Sequence, residues 1–265
     1  MRIKLDLVQK ISLAGILLAL VIIFTRFLSI QNIPVIPFVR ISLGPALIIF
    51  SSILLGPFFG AIIGGLSDIL GIVLVPNALG YGINPWFTAV YALLGIIPGL
   101  LIYLFEKVNS DKVLKISLVA FLSALFIFTT VFLLLNNDIT LFGKNYVFET
   151  WHKVLIIVLA FNFSVGTVIG IHFLDIYFKH RNQNGGHFFS IYKVTIISII
   201  DEFLVLLILN SIVKAYFFET DFLVIFFSQC IVFFINIMLD AFVVTNLLNL
   251  MKKVIKERKR DKFDE

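Results

Sequence analysis

The chain has 265 residues, of which 60% are hydrophobic and only 14% are charged, and its mean hydropathy is +1.07. A water-soluble domain of this length does not carry so many apolar residues, so the composition indicates a protein whose solvent is lipid. The single cysteine, Cys230, lies in an apolar run, which excludes disulfides and cysteine-based metal sites.

Hydrophobic segments follow one another along the whole chain. A helix needs roughly 20 apolar residues to cross a hydrocarbon core of about 30 Å, and its backbone groups must be paired within the segment because lipid offers no partners. The eight segments are 7–28, 43–56, 58–75, 86–105, 115–136, 153–178, 191–213 and 222–251. The sequence therefore predicts an all-α integral membrane protein, in which 7–28 is a retained helix rather than a cleaved signal peptide.

The positions of lysine and arginine predict the orientation. With eight spans, the basic clusters before the first segment and after the fourth, sixth and eighth segments all fall on one side. Seven basic residues lie between Lys252 and Lys262 alone. We therefore expect both termini to be cytoplasmic in the cell membrane. The net charge of +5 then reflects topology rather than nucleic-acid binding. The basic tail could contact anionic lipid, but its commoner role is as a topological anchor.

The first informative stretch joins segments one and two. Arg26 lies close to the outer end of the first helix, and Arg40 precedes Ser42 in a proline-containing outer loop. Two such arginines could bind carboxylates, because the guanidinium fork forms parallel charge-assisted hydrogen bonds. The alternative is that both side chains only reach the lipid headgroups.

A glycine-rich stretch follows in segments two and three. Gly56-Pro57 interrupts helical hydrogen bonding and predicts a tight hairpin between the two segments. Gly60 and Gly64 continue the four-residue spacing and favour close helix packing. Asp68, followed by Gly71, needs a partner inside the membrane, and we expect a structural capping role for it in preference to a proton relay or a ligand contact.

A second outer loop precedes the fourth segment. Asn84 and the neighbouring prolines and glycines favour turns, while Tyr81 and Trp86 offer flat aromatic faces near the membrane surface, with Thr88 one turn further on. These aromatic residues could be interfacial anchors. Together with arginines on the same side, they would also suit a flat aromatic ligand that carries carboxylates.

These motifs, in this order, resemble the folate family of S components, the substrate-binding subunits of energy-coupling factor (ECF) transporters. The resemblance rests on Arg-Phe-Leu-Ser-Ile from Arg26, Arg-Ile-Ser-Leu-Gly from Arg40, Gly-Pro with Asp-Ile-Leu-Gly at 56–71, and Pro-Trp-Phe-Thr from Pro85. It implies a helical protein that captures a vitamin, most simply folate, with riboflavin, thiamine and pantothenate as the alternatives.

The same resemblance implies the partners of the chain. They would be a transmembrane coupling protein and two ATPase subunits, which supply the energy, because this chain has no phosphate-binding loop and we expect it to be neither an enzyme nor a cofactor protein. Small residues of the first helix would face the coupling protein, namely Ala14, Gly15 and Ala19.

Members of the resembled family have six helices, whereas this sequence predicts eight. We expect 1–105 to form core helices one to four, 106–190 to be a two-helix insertion, and 191–265 to supply core helices five and six with the basic tail. An even insertion preserves the topology. The last outer loop would then place Lys214 beside the ligand, because the final helix pair has no arginine.

A proton-coupled secondary transporter is the main competing hypothesis. Asp175, Asp201, Glu202 and Asp240 lie in or near apolar segments, where acids often mark proton paths, although most lie near predicted helix ends. The four histidines have no metal-ligand spacing and no nucleophile beside them, which argues against an enzyme.

Overall fold

The computed structural model describes residues 5–33, 36–75, 82–105, 110–141, 144–181 and 190–264. Its helices are α1 (Leu7–Ile22), α2 (Gly44–Leu55), α3 (Pro57–Leu74), α4 (Pro85–Leu104), α5 (Asp111–Leu135), α6 (Thr150–Arg181), α7 (Ile191–Asp201), α8 (Asn210–Phe217) and α9 (Phe222–Asp264). When the π-helical segments described next are counted with the helices that they extend, the ends agree with the predicted segments to within four residues. The exception is α9, which continues into the basic tail beyond its predicted end at 251.

Two π-helical segments extend the α-helices. Ile23–Phe27 continues α1, and Glu202–Leu209 joins α7 to α8, so that Ile191–Phe217 forms one continuous span. In α9, Phe222–Cys230 and Ile235–Met251 are bent by 44° relative to each other. Such π-helical segments are uncommon and often accompany functional sites.

Six helices of the described chain are long and apolar enough to cross a membrane, and the bent α9 would make a seventh. The remaining predicted segment, 43–56, corresponds to α2, which has only 12 residues. The helical membrane architecture is therefore confirmed, whereas eight full spans remain a prediction.

Two short antiparallel hairpins interrupt the all-α architecture that the sequence predicts. Strands β1 (Ile30–Ile33) and β2 (Ile36–Ile41) pair after α1, and β3 (Asp138–Leu141) pairs with β4 (Lys144–Val147) after α5. In the first hairpin Gln31 pairs with Arg40, which fixes the backbone of that arginine next to the start of α2.

The apolar core is divided into two main parts. One part is formed by α1 to α4 together with α7, its π-helical continuation and α9. In the other part, α5 and α6 pack against α7 and α9 through buried residues that include Leu118, Ile171, Ile199 and Ile237. The α5–α6 hairpin thus lies against the side of the bundle that α7 and α9 form.

Helices α3 and α4 cross at very short distance because glycine faces glycine. A Cβ added at Gly60 would collide with the carbonyl oxygen of Gly95, and one at Gly64 with that of Tyr91. The Ser52 hydroxyl of α2 donates to the Gly95 carbonyl in the same region. Gly56, between α2 and α3, has φ of 103°, which an L side chain rarely adopts, and Pro57 begins α3.

Candidate functional site

Most of the predicted binding residues meet at one end of the helix bundle. Because the helices alternate in direction, α1, α3 and α8 end where α2, α4 and α9 begin. We call this the Arg26 end of the bundle. The β1–β2 hairpin lies at the same end and contacts α9.

Arg26 is buried at this end and forms an ion pair with Asp68. It lies in the π-helical continuation of α1, and its Nη2 donates to both Oδ1 and the backbone oxygen of Asp68 at 3.3 Å. Gly71 makes room for the guanidinium, since an added Cβ there would lie 2.5 Å from Arg26 Nε. The pair joins α1 to α3 inside the protein, so Arg26 does not extend to the lipid headgroups.

Asp68 also connects α3 to the start of α4. Its Oδ2 accepts a hydrogen bond of 2.9 Å from the Thr88 hydroxyl. Asn84 caps α4, because its Oδ1 accepts from the backbone N–H of Trp86 at 3.0 Å, and its own carbonyl accepts from Thr88. Asp68 is therefore hydrogen-bonded to α1 and to α4, as a buried membrane carboxylate requires.

Two further cations lie near this network. Arg40, at the end of β2, is close enough to act electrostatically on both Asp68 and Lys214. Both Arg40 and Lys214 are half-buried. Lys214 reaches this end from α8, which packs on α4 and α9. Arg26 and Arg40 thus act on Asp68, and Lys214 lies close to Arg40.

The small side chains of Thr25 and Ser42 lie where the end of α1 packs against the start of α2. Ser42 is buried, and a Cβ added at Gly44 would collide with the methyl group of Thr25. The Thr25 hydroxyl donates to the carbonyl of Val21 at 2.7 Å within its own helix. The α1–α2 connection is consequently tight, and Ser42 lies next to the turn that carries Arg26.

The aromatic residues of this end differ from those that the sequence suggests. Trp86 is 62% exposed, whereas the neighbouring Phe87 is buried and its ring lies 5.8 Å from that of Phe217 in α8. Tyr81 lies outside the described residues. Neither Phe87 nor Phe217 is among the residues predicted from the sequence, although the i, i+3 spacing of Lys214 and Phe217 on α8 could have indicated a shared face.

The predicted partner residues lie on α1, a helix that is mostly exposed. Gly15 and Ala19 are exposed and Ala14 is half-buried. Among the residues that the structure describes, no atom outside the helix lies within 4 Å of a Cβ built at Gly15. This face is thus available for contact with lipid or with another membrane protein.

The acids of the competing hypothesis fall into two groups. Asp175 accepts from Lys179 at 2.6 Å and from the Tyr192 hydroxyl at 3.3 Å, near the end opposite Arg26. Asp201, Glu202 and Asp240 are fully buried in the middle of the α7–α8 span and of α9. The expectation that most of the acids lie near helix ends is wrong for these three. Asp201 and Glu202 lie inside the continuous Ile191–Phe217 span, and Asp240 lies inside α9.

Comparison with known proteins gives one family and one named relative. The folate transporter FolT of Clostridium novyi (strain NT) is 35% identical to this chain over 98 residues, which are 37% of this chain and 52% of the relative. The chain thus spans about half the length of the curated relative that it matches. No solved structure matches the chain. The family model described as ECF-type riboflavin transporter, S component, matches residues 6–179, about two thirds of the sequence. The chain therefore belongs to the family of ECF-type transporter S components.

Proposed function

We propose that this chain is the vitamin-binding membrane subunit of an ECF-type importer and that its vitamin is folate. The ligand would bind at the Arg26 end of the bundle, between the β1–β2 hairpin, the start of α4 and α8. Ser42, Tyr81, Asn84, Trp86 and Thr88 would line or support the site, and Arg40 and Lys214 would contact carboxylates of the ligand.

The observation that carries this proposal is the grouping of Arg26, Arg40 and Lys214 at the Arg26 end. Asp68 pairs with Arg26, and Arg40 is close enough to act electrostatically on both Asp68 and Lys214. Arg40 and Lys214 bring two further positive charges to this end, and these would attract the carboxylates of a ligand. Desolvated cations of this kind strengthen the binding of carboxylates.

The charge also favours one vitamin over the others. Folate ends in a glutamate with two carboxylates, whereas riboflavin has no carboxylate and thiamine is a cation. Two cations beside aromatic side chains therefore match folate better than riboflavin or thiamine. The relative that is named a folate transporter supports the same choice.

The proposal also covers the orientation of the chain in the membrane and the source of energy for vitamin uptake. The Arg26 end would face the outside, since the basic tail that follows α9 leaves the bundle at the opposite end. Both termini would then be cytoplasmic. The chain would bind a coupling protein through Ala14, Gly15 and Ala19, and two ATPase subunits in that complex would hydrolyse ATP.

A direct binding experiment tests the proposal. The full chain, purified in detergent, is titrated with folate, riboflavin, thiamine and pantothenate in turn by calorimetry. We expect tight binding of folate alone. Arg40→Ala and Lys214→Ala should each weaken it roughly ten- to a hundredfold, because each removes a charge-assisted hydrogen bond.

Lys153→Ala is the matched control. Lys153 follows the start of α6, near the same end of the bundle, and its ammonium donates to Asn137 at 2.8 Å. Because α6 packs mainly on α5, α7 and α9, this substitution should leave folate affinity unchanged. Equal losses in all three variants would show a general effect of positive charge rather than a site. Binding of none of the four vitamins, together with uptake driven by a proton gradient, would favour the competing transporter hypothesis.

A further inference from the structure

Three carboxylic side chains meet in the middle of the bundle, far from the proposed vitamin site. Asp201 and Glu202 are adjacent at the junction of α7 and its π-helical continuation, and Asp240 belongs to α9. The exposed fractions of the three residues are 0%, 0% and 1%. Glu202 interacts with both Asp201 and Asp240, so the three side chains form one cluster, which we call the acid cluster.

Helix geometry explains how two adjacent acids can both be buried. Successive residues of an α-helix point about 100° apart, which normally exposes one of them. Here the helix changes from α to π geometry between Asp201 and Glu202, and α4 and α9 both pack on this part of the span. The π-helical geometry thus accompanies the burial of both acids.

The acid cluster has no cation beside it in the described part of the chain. Helices α2 and α4, which pack on the cluster-bearing span and on α9, carry no charged residue. Lys193 precedes Asp201 by eight residues, about 12 Å along the helix, and Lys214 follows Glu202 by twelve residues, about 18 Å.

The elements that pack on the cluster-bearing span and on α9 also carry other titratable residues. They are Tyr91 and Tyr103 of α4, Asp111, Lys112 and Lys115 of α5, His152, Lys153, His172, Asp175, Tyr177, Lys179, His180 and Arg181 of α6, Tyr192 of α7, Tyr216 of α8, Arg40 of β2, and Cys230 and the basic tail of α9. The interactions that act on Glu202 come from Asp240, Asp201 and Asn236, with no basic group among them.

An unsatisfied amide gives a second, independent indication of what the acid cluster binds. Asn236 lies one turn before Asp240 on the same face of α9, is 5% exposed, and interacts with Glu202. Within the described residues, its Oδ1 accepts no hydrogen bond, and the same is true of both oxygens of Asp201, both oxygens of Glu202 and Oδ2 of Asp240. These buried acceptor oxygens outnumber the hydrogen atoms that the Asn236 amide can donate, and protonated carboxyl groups would supply further donors.

We infer that Asp201, Glu202 and Asp240, with Asn236, form a shared proton-binding site in the membrane interior, whose carboxyl groups are neutral at physiological pH. Ionised carboxylates at this depth would be very unfavourable without a cation. As neutral acids they can donate hydrogen bonds to one another and to the Asn236 oxygen, and so connect the α7–α8 span to α9.

A metal ion is not the ligand that the geometry supports. Within the described residues, no group of three or more acidic, histidine or cysteine side chains is arranged to hold a metal ion. A proton needs only one carboxyl oxygen and one neighbouring acceptor. The acid cluster is separate from the proposed vitamin site, and its protonation does not depend on which vitamin the chain binds.

Infrared spectroscopy of the full chain in lipid nanodiscs tests the inference. A protonated carboxylic acid has a C=O stretch that is resolved from the bands of carboxylates and shifts on hydrogen–deuterium exchange. At neutral pH we expect Asp201→Asn, Glu202→Gln and Asp240→Asn each to remove intensity from the protonated-acid band. Asp175→Asn, which removes the partner of Lys179, should instead remove only carboxylate intensity.

A second measurement on the wild-type chain covers the case in which the variants do not fold. Thermal stability should fall as the pH is raised from about 6 to about 9, because deprotonation places uncompensated charges in the bundle. Addition of sodium should change neither the infrared bands nor the melting temperature. Any of three results would overturn the inference. The cluster variants could lose only carboxylate intensity, the wild-type chain could lack a protonated-acid band, or sodium could raise the melting temperature.

Discussion

At the scale of single residues, Arg26 has a structural role in joining α1 to α3, separate from any role in ligand binding. Its guanidinium is buried against Asp68, and Asp68 in turn accepts from Thr88, so one carboxylate connects α1, α3 and α4. Arg26 would then line the binding site without pairing with a carboxylate of the ligand. Arg40 and Lys214 would provide the charges that attract it.

Removing only one partner of the Arg26–Asp68 ion pair should destabilise the protein more than replacing both partners by neutral residues. Asp68→Asn leaves the buried guanidinium without its counter-charge, and we expect a loss of roughly 3 kcal/mol, seen as a lower melting temperature in detergent. The double variant Arg26→Gln/Asp68→Asn restores neutrality and should recover part of that loss. The measurement is a double-mutant cycle on thermal stability without ligand.

Folate titration of the same variants separates stability from binding. If Arg26 acts mainly through Asp68, the folded double variant should bind folate more tightly than Arg40→Ala does. Additive stability losses with no recovery in the double variant would contradict a coupled ion pair. They would indicate that each side chain has separate partners.

The sequence correctly predicted which residues of the site lie at the same end of the bundle. It did not predict which of them contact one another. The positive-inside pattern and the helix order placed Arg26, Arg40 and Lys214 on one side, and the structure gathers them at one end. The Arg26–Asp68 contact joins positions 42 residues apart, and helix periodicity does not specify which partner a long side chain selects across a bundle. Trp86 and Phe87 are adjacent, so hydrophobicity alone could not distinguish the exposed ring from the buried one.

At the scale of elements, the positions of the helices could be predicted and their irregularities could not. Apolar length and the Gly56-Pro57 break fixed α1 to α4 to within one residue, apart from the π-helical continuation of α1. The β1–β2 hairpin contains two prolines and appeared in the sequence as a loop, since proline usually breaks strand pairing. The π-helical segment at Glu202 has no sequence signature, because it depends on the packing of α4 and α9.

Helix α1 carries the prediction for the partner interface. Gly15→Leu adds bulk to an exposed face on which no neighbouring atom lies within 4 Å, so the isolated chain should keep its stability and its folate affinity. If this face contacts the coupling protein closely, the larger side chain should prevent assembly. The measurement is co-purification of the tagged chain with co-expressed coupling protein and ATPases.

Gly166→Leu provides the matched control for this interface. Gly166 is an exposed glycine of α6, and a Cβ added there also meets no atom within 4 Å. This variant should assemble normally. Normal assembly of Gly15→Leu, or equal loss in both variants, would rule out a specific contact at the α1 face.

At the scale of the whole molecule, the family match and the packing suggest different divisions of the chain. The family model matches residues 6–179, which includes both α5 and α6. The largest core joins α1 to α4 with α7 and α9, and α5 and α6 make their main outside contacts with α7 and α9. A six-helix core could therefore consist of α1 to α6, or of α1 to α4 with the last two spans.

Deletion of residues 106–190 distinguishes these two divisions. Helices α4 and α7 are in contact, and the end of one and the start of the other lie at the same end of the bundle, so a short flexible linker can join them. The deletion exposes Ile191, Ile196 and Ile199, but these side chains would face lipid, which solvates them as well as protein does. If the hairpin is an insertion, the shortened chain should remain monodisperse, retain its helical circular dichroism and bind folate with nearly unchanged affinity. A folded chain that no longer binds folate, or one that aggregates in every detergent tested, would instead assign α5 and α6 to the functional core.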